Sequence, residues 1–198
     1  MSRYTESILR MLASGNGFVT ATQITEAGIP RRCLSEMVAA GILCKVDRGI
    51  YAAPTTWEDD LHILQYRFAK GIFSHETALY LHSMTDRTPI AFTMTFPRGY
   101  NTGSAARQGV LAQLAATATY PLGVSVVQSP GGYPLKVYDI ERTLCDIVKP
   151  RHHGDIQVVN QAMRMYSGSR SKDIAKLMDY AAKLHVSPQI LRYMEVLL

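Results

Sequence analysis

The chain has 198 residues, of which 47% are hydrophobic and 19% charged, and its formal net charge is +5 at pH 7. This is the composition of a globular protein, so an intrinsically disordered chain is excluded, and the length suits one large or two small domains. No apolar run approaches the ~20 residues of a membrane span, and the N-terminus lacks the apolar core of a signal peptide. We therefore expect a cytoplasmic protein without membrane contact. A small excess of positive charge is compatible with a polyanionic partner. Whether the chain is suited to such a partner depends on where its basic residues lie.

Three short helices are predicted near the start of the chain. Residues 4–13 carry apolar side chains at the spacing of an amphipathic helix. Thr20 and Gln23 form the sequence signature of a capping box, which begins a second helix that ends at Gly28. A third helix is predicted over 30–41, where the apolar positions again fall on one face.

A hairpin is predicted to follow the third helix. The runs 42–46 and 50–52 resemble short strands, and Gly49 in the turn between them can adopt a positive φ. The order of two helices, a glycine turn, a third helix and a hairpin is typical of a winged helix-turn-helix. We assign residues 1–56 to this DNA-binding domain.

Five polar residues of this domain are the main DNA-binding candidates. Arg31, Arg32 and Ser35 lie in the N-terminal half of the third helix, on the side opposite its apolar residues. Arginine in a recognition helix can pair bidentately with guanine in the major groove. Lys45 and Arg48 flank the hairpin turn and are predicted phosphate contacts. The alternative interpretation is a solvated basic face and an ordinary surface hairpin.

The start of the second helix adds three further candidates. The side chains of Thr20, Thr22 and Gln23, together with the helix N-terminus, are suited to contacts with phosphate. The capping role alone also explains Thr20.

Residues 57–198 are predicted to form a mixed α/β domain with a helical tail, so the fold class of the chain is α+β. The predicted elements are a connecting helix at 57–70, helices at 74–84, 104–117 and 139–150, strands at 90–96, 124–128 and 135–138, and tail helices at about 154–166, 172–184 and 188–197. The boundary with the first domain is placed at the Pro54-Thr55-Thr56 segment.

This second part offers no convincing catalytic centre. Asp139, Arg142 and Asp146 share a helical face, where they are expected to form intrahelical ion pairs. A catalytic pair of acids usually needs more carboxylates or a phosphate-binding loop, and neither is found. The loop with Arg98 and Tyr100 suits a contact with nucleic acid or a ligand, and equally a plain turn.

The cysteines and histidines also lack the spacings of metal sites. The three cysteines stand among apolar neighbours without any Cys-x-x-Cys pair, which predicts reduced, buried side chains at Cys33, Cys44 and Cys145. His152 and His153 have no partner cluster at zinc-ligand spacing. His75, Glu76 and His82 share one helix but are too few for a site. No metal or other cofactor is expected.

Three segments of the chain stand out together: ATQITEAGIPRRCLSEMVAAGILCKVDRGIYAAP at 21–54, FSHETALYLHSMTDRTP at 73–89 and KVYDIERTLCDIVKP at 136–150. In this order they resemble the AbiEi-type antitoxins of bacterial abortive-infection, or type IV toxin–antitoxin, systems. The wing pattern Gly-x-Leu…Arg-Gly-x-Tyr is common among regulators, but the three segments in this order are more specific. The resemblance extends over nearly the whole chain.

The resemblance implies two linked activities and no catalysis. The N-terminal domain of such proteins represses its own operon by binding inverted repeats in the promoter, through the positions of Arg31, Arg32, Ser35, Lys45 and Arg48. The C-terminal domain neutralises a nucleotidyltransferase-like toxin without a stable complex. For the oligomeric state, the resemblance is compatible with a protein that is monomeric in solution and binds DNA cooperatively. No motif specifies antitoxicity, and a basic surface is the candidate, with Arg98, Arg107, Arg142, Lys149 and Arg151.

The sequence is also compatible with two other classes of function. Winged helices also serve as protein-binding platforms, so the chain is alternatively a DNA- or protein-binding regulator unrelated to a toxin. An enzyme tethered to DNA, such as a nuclease, would need clustered acidic metal ligands in the second part of the chain.

Overall fold

A computed structural model describes residues 3–56, 59–150 and 155–197. The chain divides into two compact units, of which the first runs to Leu64 and includes Gln128–Tyr133. The second unit comprises Gln65–Val127 and the chain from Pro134 onwards. The boundary predicted from the sequence lies after residue 56. In the structure the first unit is eight residues longer, and it also includes the distant segment Gln128–Tyr133.

The first unit contains three helices and a three-stranded antiparallel sheet before the chain reaches its linking helix. These elements are α1 (Arg3–Ser14), β1 (Phe18–Thr20), α2 (Ala21–Glu26), α3 (Arg32–Ala39), β2 (Cys44–Asp47) and β3 (Ile50–Ala52). The strand order is β1-β3-β2, so β3 lies in the centre. The predicted helices and hairpin are confirmed, whereas β1 was not identified from the sequence.

The periodic apolar residues of the three helices form one core. Ile8, Ile24 and Leu34 come from α1, α2 and α3, and each is almost completely buried. Leu43, just before β2, joins the same cluster. Burying such a side chain contributes about 1.5–3 kcal/mol relative to exposure, so the apolar stripes are the main reason why these short helices are stable.

The linking helix α4 (Asp60–Arg67) is shorter than the 57–70 predicted. Asp59 immediately precedes it, and its Oδ1 accepts a hydrogen bond from the backbone N–H of His62 at 3.1 Å. The capping carboxylate therefore fixes the N-terminal end of the helix. Trp57, the predicted first residue, lies outside the described residues.

The second unit contains a five-stranded mixed sheet and several helices. Its elements are β4 (Ile72–Phe73), α5 (His75–Leu81), β5 (Thr93–Pro97), α6 (Gly103–Arg107), β6 (Leu111–Ala115), β7 (Val124–Gln128), β8 (Pro134–Tyr138), α7 (Ile140–Ile147), α8 (Ile156–Gly168), α9 (Ile174–Lys183) and α10 (Ser187–Leu197). The strand order is β6-β5-β4-β8-β7, with β4 antiparallel to β5 and parallel to β8. The mixed α and β architecture agrees with the predicted class.

The prediction of a helix over 104–117 was wrong for its second half. The helix α6 ends at Arg107, and 111–115 form β6, which pairs in parallel with β5 from Thr93↔Leu111 to Pro97↔Ala115. Five ladder positions against β5 outweigh the helix propensity of an alanine-rich segment, because propensity differences are only tenths of a kcal/mol per residue.

The three tail helices were predicted correctly and enclose the core of the second unit together with α5 and α7. Their buried apolar side chains include Val159, Met163, Leu177 and Ile190, which belong to the same hydrophobic cluster as Leu144 of α7. No helix in the described ranges is both long and apolar enough to cross a membrane.

Candidate nucleic-acid interface

The helix α3 presents one polar and one apolar face. Cys33, Leu34 and Met37 are buried, whereas the three predicted contacts are exposed: Arg31, Arg32 and Ser35. We call these three exposed residues the α3 surface. Because the core holds the opposite face of the helix, the α3 surface is fixed in its orientation towards solvent.

The two arginines of the α3 surface differ in their surroundings. The Nε of Arg31 donates a hydrogen bond to the hydroxyl of Thr25 at 2.9 Å, and that hydroxyl donates to the carbonyl of Ala21 at 2.8 Å. This chain of hydrogen bonds ties Arg31 to α2. In the described part of the chain, the guanidinium of Arg32 has no hydrogen bond or ion pair. Arg31 is therefore positioned, and Arg32 is available to a ligand.

The β2–β3 hairpin supplies the second group of basic side chains. Lys45 and Arg48 are exposed, and Gly49 in the turn has a φ of 80°, a conformation that favours glycine. The turn is also held by the backbone N–H of Arg48, which donates to Asp47 Oδ1 at 2.6 Å. The register shifts between Lys45 and Asp47, and such a bulge increases the local twist of a hairpin.

The residues at the start of α2 serve mainly as a helix cap. The backbone N–H of Gln23 donates to the hydroxyl of Thr20 at 3.2 Å, and the Gln23 side chain accepts from the backbone N–H of Thr20 at 2.8 Å. The predicted capping box is therefore confirmed. Thr20 is also buried, so its hydroxyl is not available to DNA, which corrects its candidacy as a phosphate contact. Thr22 and Gln23 are exposed.

Replacing Thr20→Ala is expected to lower the free energy of unfolding by about 1 kcal/mol, because the capping hydrogen bond is lost. Urea denaturation followed by circular dichroism measures this change. Thr55→Ala, in an exposed turn of the same unit, is the matched control and should shift the transition little. A Thr20→Ala variant with unchanged stability but abolished DNA binding would contradict the capping role.

The basic residues proposed for antitoxicity differ in their exposure. Arg98 and Arg107 are exposed, and Lys149 is half-buried with its Nζ 2.6 Å from Asp146 Oδ1. Arg142 is only 1% exposed, which corrects its assignment to a basic surface. The fifth candidate, Arg151, lies outside the described residues.

Arg142 instead organises the interior of the second unit. Its Nε lies 2.9 Å from Asp146 Oδ2, and its Nη1 donates to the carbonyls of Thr119 and Leu122. Its guanidinium carbon lies 4.2 Å from the ring centroid of Tyr138. The predicted intrahelical ion pair is therefore present, and it also binds the 119–122 loop to α7.

The buried carboxylate of Asp146 is stabilised by its two cationic neighbours. Burial acts to raise the pKa of Asp146, but the charges of Arg142 and Lys149 outweigh it, so the pKa lies below its usual value. Cys145 beside it is buried, and burial raises the pKa of its thiol to about 12. The predicted burial of Cys145 is confirmed, and a buried thiol with a raised pKa has little nucleophilic reactivity. Cys44 is exposed, contrary to the expectation that all three cysteines are buried.

Polar residues at the start of α7 are held by contacts with the following helices. Lys176 Nζ lies 3.0 Å from both Asp139 Oδ2 and Glu141 Oε2. Burial acts to lower the pKa of Lys176, but hydrogen bonds to these two carboxylates raise it above its usual value. Glu141 also accepts a hydrogen bond from the hydroxyl of Tyr166. The segment therefore joins α7 to α8 and α9.

The two histidines of the 73–89 segment form hydrogen bonds with neighbouring groups of the fold. His75 Nδ1 lies 3.0 Å from Ser74 Oγ, and His82 Nε2 lies 2.7 Å from the carbonyl of Tyr138. Within the described ranges, no group of three or more His, Cys, Asp or Glu side chains is placed to hold a metal ion.

One polar cluster in the first unit was not found from the sequence. Asp59 Oδ2 accepts hydrogen bonds from the hydroxyl of Ser129 and the backbone N–H of Gly131. The hydroxyl of Tyr133 donates to the carbonyl of Asn16 at 2.7 Å. These contacts join positions that are 70 or more residues apart, so no local pattern could have indicated them.

Aromatic rings complete this cluster. The ring of His62 stacks on that of Tyr133 with centroids 4.0 Å apart, and Phe18 meets both rings edge-on. Burial lowers the pKa of His62, although Asp59 acts to raise it. A neutral imidazole is thus favoured in this stack.

Comparison with known proteins adds a family and a fold. Residues 7–54 match a family described as "Transcriptional regulator, AbiEi antitoxin". Among solved structures, the chain is similar to the RV2827C protein from Mycobacterium tuberculosis, with a TM-score of 0.53 and 16% sequence identity over 100% of this chain and 81% of that chain. At this identity the similarity concerns the fold alone. No curated protein sequence matches the chain.

The family match extends from within α1 to just beyond β3, so it includes the whole α3 surface and both basic residues of the hairpin. Over residues 7–54 the chain is therefore similar to the AbiEi antitoxin family of transcriptional regulators.

Proposed function

We propose that residues 1–56 act as a winged helix-turn-helix that binds double-stranded DNA. The α3 surface carries the proposal, because two guanidinium groups and a hydroxyl project from one helix whose other face is held by the core. A helix fits the major groove of B-DNA, and arginine pairs bidentately with guanine there. The hairpin then contacts the DNA backbone through Lys45 and Arg48.

Two further features of α3 suit it to this task. Ala39 and Ala40 are exposed at its C-terminal end, and small side chains allow close approach to a groove. Glu36 is exposed one turn after Arg32, and a carboxylate in this position can accept a hydrogen bond from the amino group of cytosine. The α3 surface and Glu36 together thus offer groups that distinguish both bases of a G·C pair.

The biological role that we propose is an autorepressor and antitoxin. The chain binds inverted repeats in the promoter of its own operon and counteracts a nucleotidyltransferase-like toxin without forming a stable complex. The family match of residues 7–54 supports this role, as does the resemblance of the later segments. The second unit would carry the antitoxin activity.

The DNA-binding proposal is tested by titrating the full chain into a fragment from upstream of its coding region. Affinity for this fragment should exceed that for a scrambled fragment. The logarithm of the association constant should fall linearly with the logarithm of salt concentration, because lysine and arginine displace counterions from the DNA phosphates. Equal affinity for both fragments, or binding without salt dependence, would reject the proposal and favour a protein-binding role.

Replacing both hairpin residues, Lys45→Gln and Arg48→Gln, is expected to weaken binding to specific and scrambled fragments alike. The slope against salt should decrease by about 2, since each phosphate contact contributes about one unit. Arg3→Gln and Arg10→Gln on α1 remove the same charge elsewhere in the first unit and serve as the matched control. An unchanged slope in the hairpin variant would exclude these two residues as phosphate contacts.

The antitoxin role is tested by expressing the chain together with the product of the adjacent reading frame. If that frame encodes a nucleotidyltransferase-like protein that arrests growth, co-expression of this chain should restore growth. A neighbour without such an activity would favour a regulator unrelated to a toxin.

A further inference from the structure

A cavity of about 500 Å³ lies in the second unit, at the C-terminal end of α7 and beside α8 and α10. Three cationic side chains line it: Lys149, Arg164 and Arg192. Arg164 and Arg192 are exposed, and the guanidinium group of neither has a hydrogen bond or ion pair within the described residues. None of the described lining residues is acidic. The cavity is therefore suited to an anion.

The charge of Lys149 is balanced in part by Asp146, which it contacts at 2.6 Å. Asp146 also pairs with the buried Arg142, so one carboxylate is shared between two cations. The three groups together keep one positive charge at the wall of the cavity. The two free guanidinium groups add to it, and bidentate arginine contacts are well suited to phosphate.

The cavity also contains polar and aromatic groups to which a bound inorganic anion would make no contact. Gln189 lines the cavity, and its Oε1 is buried without a hydrogen-bond partner in the described part of the chain. Leaving a buried acceptor unsatisfied is costly, so a ligand that donates an N–H to it would be favoured. Asn160 adds a second amide to the lining, and Tyr193 adds an aromatic ring.

Apolar residues form the remaining walls. Ile147 and Val159 are buried behind the cavity, whereas Ile156 and Val196 are 60% and 82% exposed at its edge. Apolar walls with a few polar groups, in a volume of this size, are typical of sites for small organic ligands.

We propose that this cavity binds a nucleoside phosphate, either free or as the 5′-phosphorylated end of a nucleic-acid strand. The phosphate lies between Arg164 and Arg192, near Lys149. The base packs against Tyr193 and donates its exocyclic amino group to Gln189. A nucleoside phosphate is a single ligand that uses the cations, the amide acceptor and the ring together. The site is separate from the α3 surface and does not depend on DNA binding.

The test is calorimetric titration of the full chain with AMP, IMP, adenosine and inorganic phosphate. AMP should bind at least about tenfold more tightly than IMP, which lacks the amino group, because a site built for a donor rejects an analogue without it. Adenosine and phosphate alone should bind more weakly than AMP. In Gln189→Met, AMP and IMP should bind equally.

The variant Arg164→Gln/Arg192→Gln should weaken AMP binding about tenfold or more, since charge-assisted hydrogen bonds are lost. Arg170→Gln, exposed beyond the end of α8, is the matched control and should bind AMP normally. Arg32→Ala on the α3 surface should also leave AMP binding unchanged. Circular dichroism verifies that each variant is folded.

The ligand source is distinguished by a 5′-phosphorylated dinucleotide. Tighter binding of the dinucleotide than of AMP would indicate a strand end, and the reverse order a free nucleotide. Absence of binding by both, phosphate binding as tight as AMP, or equal affinities in Arg164→Gln/Arg192→Gln and Arg170→Gln would overturn the proposal.

Discussion

Arg142→Ala is expected to destabilise the protein by about 3–5 kcal/mol, the cost of removing one partner of a buried ion pair, although Asp146 keeps its ion pair with Lys149. The change removes the ion pair with Asp146 and the hydrogen bonds to the carbonyls of Thr119 and Leu122. Two partly buried carbonyl groups of the loop then lose a donor. Gly123 next to them packs so closely that an added Cβ would lie 2.6 Å from the Arg142 Cβ, so the loop has little room to rearrange.

Urea unfolding monitored by circular dichroism measures this loss. Arg107→Ala is the control, because it removes an exposed arginine of the same unit and should change stability by no more than about 0.5 kcal/mol. A loss below about 1 kcal/mol in Arg142→Ala would show that the buried pair is not needed for the fold. Any loss of antitoxin activity in this variant must be compared with its soluble yield.

The pH dependence of unfolding provides an independent check of the same pair. Because the folded state lowers the pKa of Asp146, the ionised carboxylate stabilises the fold above the usual pKa of an aspartate, and this contribution is lost as the pH falls through the lowered value. Arg142→Ala removes the positive charge that lowers the pKa of Asp146 most. The acid-dependent part of the stability should therefore decrease in this variant.

The second large effect is expected on DNA binding. Arg32→Ala should cost about 1–3 kcal/mol of binding free energy and relax base preference at one position of the operator. Arg31→Ala should cost a similar amount, and the double variant should lose discrimination between the promoter fragment and a scrambled fragment. Fluorescence anisotropy with both fragments measures affinity and specificity together.

The hydrogen bond of Arg31 to Thr25 refines this prediction. Thr25→Val keeps the shape of the side chain but frees the Arg31 guanidinium, so it should weaken specific binding less than Arg31→Ala does. Arg10→Ala, which removes an exposed arginine of α1, should leave specificity unchanged. Full specific binding by the Arg31→Ala/Arg32→Ala variant would exclude α3 as the recognition element.

The features that were predictable from the sequence depend on near neighbours in the chain. The capping box joins Thr20 to Gln23, three positions away, and the apolar stripe of α3 repeats within one or two turns. Such patterns are visible in a short window of sequence. The exposed positions of the α3 surface follow directly from them.

The features that were missed depend on distant partners. β6 forms because it pairs with β5, and nothing within its own five residues indicates a strand. The side chain of Cys44 is exposed because the preceding Leu43 fills the core. Arg142 was expected on a surface, but its partners at Thr119 and Leu122 lie more than 19 residues earlier in the chain. A local pattern cannot indicate burial that such contacts produce.

The first unit is formed by two separate stretches of the chain, and this limits how it can be exchanged by recombination. The polypeptide passes from one unit to the other three times, after Leu64, after Val127 and after Tyr133. A gene fragment that ends at codon 56 would carry the α3 surface but neither Asp59 nor the Gln128–Tyr133 segment that it binds. Recombination that exchanges only the beginning of the gene would separate these partners. For the DNA-binding function that we propose, new specificities are therefore expected to arise by point substitutions on α3 rather than by exchange of whole N-terminal modules.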